Sequence, residues 1–528
     1  MKLDLVFRGG TIIDGTGRPS FDADLGVADG MIAEVGSIPR GQGREELDIR
    51  GQYITPGFID IHSHSDYTLL VDPRAVSQIA QGVTMEVIGN CGWGCSPIAN
   101  PVLSSSVIYG YGEQVPITWH TTAEYLERLE QARPAVNVAM LVPNGQLRLA
   151  TVGLADRAAR PAELARMKTL LAQSLEEGAI GYSTGLEYVT EVGASEEDVA
   201  ELCHVTALAG GLYATHTRNR EERAAEAIEE AIRTADHAGC RLQISHLTPR
   251  GGISNLERCI EQVDAALARG SDLAFDMHTR LFGTTNLRIV LPPWAMAGGR
   301  DALARRLANA ADRDRMKTFR NLITSVGDWD KVVLLETPSI PGWSNRSFGE
   351  IGRSVGRDPY DCVCELLLAE IDHLHRPMVI LHTYTEDLLR RTYQHASCMV
   401  GSDATALAPN GPLAVTSFHG AYTWASWFYR RMVRETKTFT PEEAVYKITG
   451  LPAKTLGLTD RGTLSVGHRA DLAVFDPELF GERGTTERPS QTAVGMTYVL
   501  VNGVVTWRDS GVTGQRAGQV LRGRKREG

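Results

Sequence analysis

The chain has 528 residues, 43% of them hydrophobic and 22% charged, with a formal net charge of −10. That is too long for one ordinary domain and has the balance of a soluble globular protein. The acidic excess argues against nucleic acid and anionic membranes as partners, and no run of about 18 apolar residues offers a membrane span.

In chain order, the start Met1-Lys2-Leu3-Asp4-Leu5 places an acid where a signal peptide needs a continuous apolar core. Eight cysteines are too sparse for a disulfide framework. Both features point to a cytoplasmic setting. Short strands are expected at 3–7 and 11–13, with Gly9-Gly10 as a turn, and at 24–27 and 31–35 around Asp29-Gly30. From there strand and helix alternate. Strands are predicted at 57–61, 84–88, 137–142, 179–183, 212–215, 241–245, 272–277 and 397–401, with helices such as 161–177 and 220–238 between them. Eight such strands imply an α/β fold, a (β/α)8 TIM barrel over 56–459. About 120 residues separate the last two strands. That is too many for one crossover, so an inserted subdomain is expected over 281–371, with a strand-like run at 331–335. The far end returns to β texture, with a strand at 471–476 and a hairpin of 498–501 and 504–507 about Asn502-Gly503. Residues 1–55 and 460–528 are therefore expected to share one small composite β-sandwich domain. The basic end, 522–526, reads as a solvated terminus, and Cys362-Val363-Cys364 as buried helix cysteines.

His62-Ser63-His64 follows the apolar run Gly57-Phe58-Ile59-Asp60-Ile61. Residues two apart on a strand share a face. Both imidazoles therefore point one way at the C-terminal end of the first barrel strand, where barrel active sites lie. His216 closes the fifth strand, His246 the sixth, and Asp403 follows the eighth. Four imidazoles and a carboxylate converging on one mouth are ligands that a zinc-like ion prefers.

The run P-G-F-I-D-I-H-S-H, with the later strand-end histidines and G-S-D at 401–403, resembles the amidohydrolase superfamily. More narrowly, G-V-T-M-E-V-I-G-N-C-G (82–92), G-A-I-G-Y-S-T-G-L-E-Y (178–188), H-T-R (216–218), S-H-L (245–247), A-D-L-A-V-F-D-P (470–477) and V-N-G (501–503) resemble the N-acyl-D-amino-acid deacylase (D-aminoacylase) group. The resemblance covers nearly the whole chain. It implies zinc as cofactor, and a cysteine after strand two in place of the carboxylated lysine of many binuclear amidohydrolases. That cysteine is Cys91, with Cys95 four residues on as competitor. It implies one tight ion on Cys91, His216 and His246, and a second, weaker one on His62, His64 and Asp403. It further implies Asp403 as a proton shuttle between the attacking water and the leaving nitrogen.

The chain departs from the group around the substrate. The lysine expected after S-H-L, which helps bind a substrate carboxylate, is Thr248. An aromatic D-x-Y-P-Y reads Asp276-Met277-His278-Thr279-Arg280, an H-P-R falls at His419-Gly420-Ala421, and a G-H-G after strand three is Pro143-Asn144-Gly145. A carboxylate in a closed pocket needs a cation or several donors. Simple N-acyl-D-amino acids are therefore not the expected substrate, unless Arg250 or Arg280 supplies the charge from a shifted position. Tyr188, Arg218, Thr248, Arg250 and His278 are the candidate substrate contacts, and for Arg218 a supporting place behind the ligands is the favoured reading. Trp424, Trp427, Phe428 and Tyr429 are expected in the core or a subunit contact, and His373, His375, His382 and His395 as surface or structural residues.

The expected activity is hydrolysis of a linear amide in a small molecule. One alternative is hydrolysis of a cyclic amide, carbamate or lactone on the same metal site. Another is a non-catalytic assembly protein, which the intact ligand set argues against. Homo-oligomerisation stays open.

Overall fold

A computed structural model describes residues 2–523 except 113, 336, 375, 415, 417 and 487. His375 and residues 524–526 of the basic end lie outside these, while Arg522 pairs with Glu130 at 2.8 Å.

Among the described residues eight strands form one parallel sheet: Phe58–Asp60, Val83–Ile88, Asn137–Pro143, Gly181–Gly185, Leu212–His216, Arg241–Ile244, Leu273–Met277 and Cys398–Val400. Each pairs with its neighbours in chain order. A parallel bridge from Ser63 to Ala404, with Asp403 N donating to His62 O at 2.8 Å, joins last to first and closes the barrel. All eight predicted strands are present. Ile59, Met85, Leu141, Leu212, Ala274 and Met399, from six of them, form one buried cluster. A larger cluster joins Val83, Tyr182, Leu242 and Phe275 to helix residues such as Leu171, Val199, Ile228 and Val263. Helix Pro161–Glu176 buries Met167, Leu171 and Leu175 at four-residue spacing, and opens on a proline where no intrahelical donor is lost. The next predicted helix begins at Ala224 rather than at 220. Residues 217–223 instead form a loop in which Arg220 and Glu221 are buried.

Nine strands from the two chain ends form a second sheet, and the ends meet where Leu472–Phe475 pairs antiparallel with Tyr53–Pro56. Gly9-Gly10 is not a turn. Strand Leu3–Ile12 runs through it, and the register shift between Phe7 and Gly10 is a bulge that places Gly9 at φ +67°, which glycine adopts without strain. After Gly511–Val512 the chain leaves this sheet. Gly518 N donates to Pro134 O at 3.0 Å and Leu521 N to Val138 O at 2.7 Å, so the tail lies along the start of the third barrel strand.

Between the last two barrel strands stands a three-stranded antiparallel sheet, with Met378–Leu381 between Gly283–Asn286 and Val332–Leu334. The central strand lies past the expected limit at 371. Its run Met-Val-Ile-Leu is apolar throughout, without the alternation that marks a half-buried strand. Leu287, Leu303, Leu334, Phe348, Leu366 and Leu381 give this insert its own core, in which Cys362 and Cys364 are buried. Trp424, Phe428 and Tyr429 are buried in the barrel's core. His395 pairs with Asp264 at 3.0 Å. Among the described residues no helix is long and apolar enough to cross a membrane.

Candidate active site

The strand-end residues meet around Cys91. After Val83–Ile88 the chain turns sharply through Gly89 (φ +78°) and Cys91 (φ +56°). This brings Cys91 Sγ to 3.3 Å from His62 Nε2 and 3.4 Å from His246 Nε2. His64 Nε2 and His62 Nε2 approach Asp403 Oδ1 at 3.3 and 3.6 Å. The donor atoms of Cys91, His216 and His246 lie within 4.8 Å of one another, as do those of His62, His64 and Cys91, and those of His62, His246 and Asp403. Tetrahedral zinc with bonds of roughly 2.0–2.3 Å spaces its donors about 3.5 Å apart. Imidazoles, a thiol and a carboxylate at these separations fit such an ion, with the thiol common to two of the sets. Cys91, His246 and Asp403 all take positive φ, at 56°, 37° and 44°. Each such residue costs about 1–2 kcal/mol, so the surrounding structure holds three strained candidate ligands in place.

Carboxylates behind the ligands set their orientation. Asp276 Oδ1 lies 3.0 Å from His62 Nδ1 and accepts from His246 N at 2.9 Å, while Gln243 Nε2 donates to Asp276 Oδ2 at 2.7 Å. Asp276 therefore keeps the proton on His62 Nδ1 and turns Nε2 to the cluster. Arg250 Nη2 lies 2.7 Å from both oxygens of Glu187, the partner of His216, and Arg250 Nε lies 2.7 Å from Glu221 Oε1. Burial opposes ionisation of the Cys91 thiol, but His62, His216 and His64 outweigh it and hold the thiol well below its ordinary range. Burial likewise opposes ionisation of Asp403, and His64, His62 and Arg280 outweigh it. Cys95 is outside every donor set, and burial pushes its thiol up.

A cavity opens over the cluster. Tyr188, Arg250 and His278 line it, together with Trp93, Tyr109, Arg220 and Tyr384, which sequence reasoning missed. These four come from loops and the far side of the insert, where no periodicity points to them. Tyr188 OH lies 3.2 Å from His216 Nδ1. His278 Nδ1 accepts from Arg280 N at 3.2 Å, which leaves Nε2 as the donor, 4.0 Å from Asp403 Oδ2. Burial and Arg280 lower the His278 pKa, so its ring is neutral.

Two of the expected substrate contacts, Thr248 and Arg218, lie away from the cavity. The Thr248 hydroxyl turns away, to Thr392 Oγ1 at 2.8 Å. Arg218 lies outside the cavity and grips Glu230 at 2.8–3.1 Å. Its strand ends at His216, so alternation no longer carries it to the ligand side. Arg250 is already matched by Glu187 and Glu221. Arg280, the other proposed carboxylate partner, donates instead to Asp403 Oδ2 at 3.1 Å, to Asp403 O at 2.9 Å and to Ser402 O. A Cβ at Gly420 would overlap the Arg280 guanidinium, so this glycine leaves Arg280 its path.

The amidohydrolase family model matches residues 45–317 and 387–507. D-aminoacylase from Alcaligenes xylosoxydans xylosoxydans is 32% identical over 523 residues, which are 98% of this chain and 97% of that protein. A solved structure of N-acyl-D-glutamate deacylase from Bordetella bronchiseptica, complexed with zinc and a phosphonate mimic of the tetrahedral intermediate, is 30% identical. Its TM-score is 0.82, over 99% of this chain and 100% of that one. A D-aminoacylase structure concerned with the role of its binuclear metal centre is 31% identical with a TM-score of 0.81, over 98% and 100%.

Proposed function

The chain belongs to the amidohydrolase family, and from that premise we propose that it hydrolyses a linear amide, the N-acyl bond of a small molecule, at the cluster around Cys91. The observation that carries this reading is the setting of Asp403. Its Oδ1 faces His64 and His62 at 3.3 and 3.6 Å, while Arg280 holds Oδ2 at 3.1 Å. Cys91, His216 and His246 would hold one zinc tightly, and His62, His64 and Asp403 a second more weakly. Zinc bound there lowers the pKa of water and polarises a carbonyl.

The chain's own residues do the rest. Arg280 engages Oδ2, so Oδ1 is the oxygen of Asp403 that takes a proton from the attacking water. The same oxygen then gives that proton to the leaving nitrogen, which departs as a neutral amine. His278 Nε2–H is an uncharged donor beside Asp403, suited to the oxygen that gains charge as the carbonyl becomes tetrahedral. Tyr188 packs against His216 at 4.7 Å and Trp93 at 5.3 Å between ring centres, and this wall keeps bulk water from the reacting bond. Three positions where the D-aminoacylase group holds a carboxylate are changed, at Thr248, His278-Thr279 and Gly420-Ala421. The same reading divides the chain into a barrel over 56–459, an insert closed by Met378–Leu381, and a β-rich unit of 1–55 with 460–512.

Asp403→Asn tests the mechanism. It should lower kcat on linear amides by about 10²–10⁴-fold while zinc on Cys91, His216 and His246 is retained. Undiminished turnover by this variant would remove Asp403 from the reaction.

A further inference from the structure

Arg220 stands in the loop after the fifth barrel strand, is 6% exposed, and lines the cavity above the cluster. Its Nη2 donates to Thr248 O and Tyr384 OH at 2.9 Å each, and to His246 O. Nε is buried and donates to nothing, and Nη1 makes no hydrogen bond. Among the described residues Arg220 forms no ion pair. The neighbouring acids are engaged elsewhere, Glu187 and Glu221 on Arg250 and Asp403 on His64 and Arg280. An arginine stays charged, and a buried charge without a counterion is strongly disfavoured. Tyr384 OH accepts from Arg220, so its own proton is free to donate. The cavity wall thus presents a guanidinium and a phenol side by side, next to the cluster residue His246, and among the described residues neither forms an ion pair.

We propose that the substrate carries a carboxylate and that Arg220, with Tyr384, is its seat. This rests on the amide-hydrolase reading of the same cavity. It departs from the expectation drawn at Thr248, His278-Thr279 and Gly420-Ala421. Those positions do lack a cation, but Arg220 brings one in from the preceding loop and lays it on the Thr248 carbonyl. Because the same guanidinium also bonds the His246 carbonyl, a carboxylate on Arg220 would sit beside the cluster. The carboxylate therefore acts in selecting the substrate, and Arg220 is a specificity residue.

Zinc-loaded wild type, Arg220→Met and Arg220→Lys test this on two sets of amides. N-acetyl amino acids carry the carboxylate on the amine side and N-succinyl amines on the acyl side, and each acid is paired with its neutral primary amide. In one set the wild type should favour the acid by on the order of 10- to 100-fold in kcat/KM. Arg220→Met should lower kcat/KM for the acid by on the order of 10- to 100-fold more than for its neutral partner, and Arg220→Lys should restore part of the preference. A merely structural Arg220 would lower acid and neutral partner alike. Calorimetric binding of the cleavage products, which are not turned over, reads the same preference without catalysis. If no amide is cleaved but the wild type binds the acid product more tightly than Arg220→Met does, the carboxylate seat stands and the amidase reading fails. Equal handling of acid and neutral partner by the wild type in both sets, or equal loss on both in Arg220→Met, would overturn the proposal.

Discussion

Glu187 Oε2 lies 2.8 Å from His216 Nε2 and keeps the proton on that nitrogen, which leaves the Nδ1 lone pair for a ligand. Glu187 is itself fixed by Arg250, so a buried chain of charge runs from Glu221 through Arg250 and Glu187 to the ligand. Glu187→Gln should therefore weaken zinc binding by about 10- to 100-fold. Competition with a chelator of known affinity measures this, and an unchanged affinity would show that Glu187 does not orient the ligand.

Cys91 belongs to two of the three donor sets, and no other cysteine is in any of them. Cys91→Ala should lose most of the roughly one to two zinc per chain expected for a site of this type. Elemental analysis decides it, and full zinc retention would move the tight site elsewhere.

Much of this site is legible in the sequence. His62, His64, His216, His246 and Asp403 stand at the ends of predicted strands, and barrel geometry alone sends strand ends to one mouth. Cys91 was not legible that way. It lies three residues past Ile88 on a left-handed turn, and only the G-N-C-G resemblance pointed to it. Glu187, Arg220 and Tyr384 sit in loops, where side-chain direction follows from long-range packing. Arg218 turns to Glu230 rather than the cavity because the strand stops at His216, so alternation no longer sets its direction.

Gly420 and Arg280 act as a pair, since the missing Cβ at 420 leaves Arg280 its route to Asp403. Gly420→Ala should push Arg280 off Asp403 and lower kcat, and Arg280→Met should lower it by on the order of 10- to 100-fold, as expected for loss of a charged hydrogen bond. Zinc on Cys91, His216 and His246 should be retained in both. Wild-type kcat in Gly420→Ala would show that Arg280 does not hold the carboxylate.

Glu86 gives a pH dependence. It is fully buried among the barrel strands, with only Ser63 and Ser65 hydroxyls donating to it at 2.8 Å. Burial pushes its carboxyl up to about 8 from an ordinary 4.5. The folded state then keeps a proton that the unfolded chain releases. The associated stability is complete below pH 4.5 and is lost as pH rises toward 8. Glu86→Gln should flatten the fall in Tm between pH 5 and pH 8. An identical slope in the variant would mean that Glu86 is ionised in the folded protein.

The most direct test of the account is the product formed by zinc-loaded wild type from a linear N-acyl amide and, separately, from a cyclic amide such as dihydrouracil. The proposed linear-amide reading predicts cleavage of the linear amide into a carboxylic acid and a free amine, with the ring left intact. Ring opening of the cyclic amide with the linear amide untouched would contradict it.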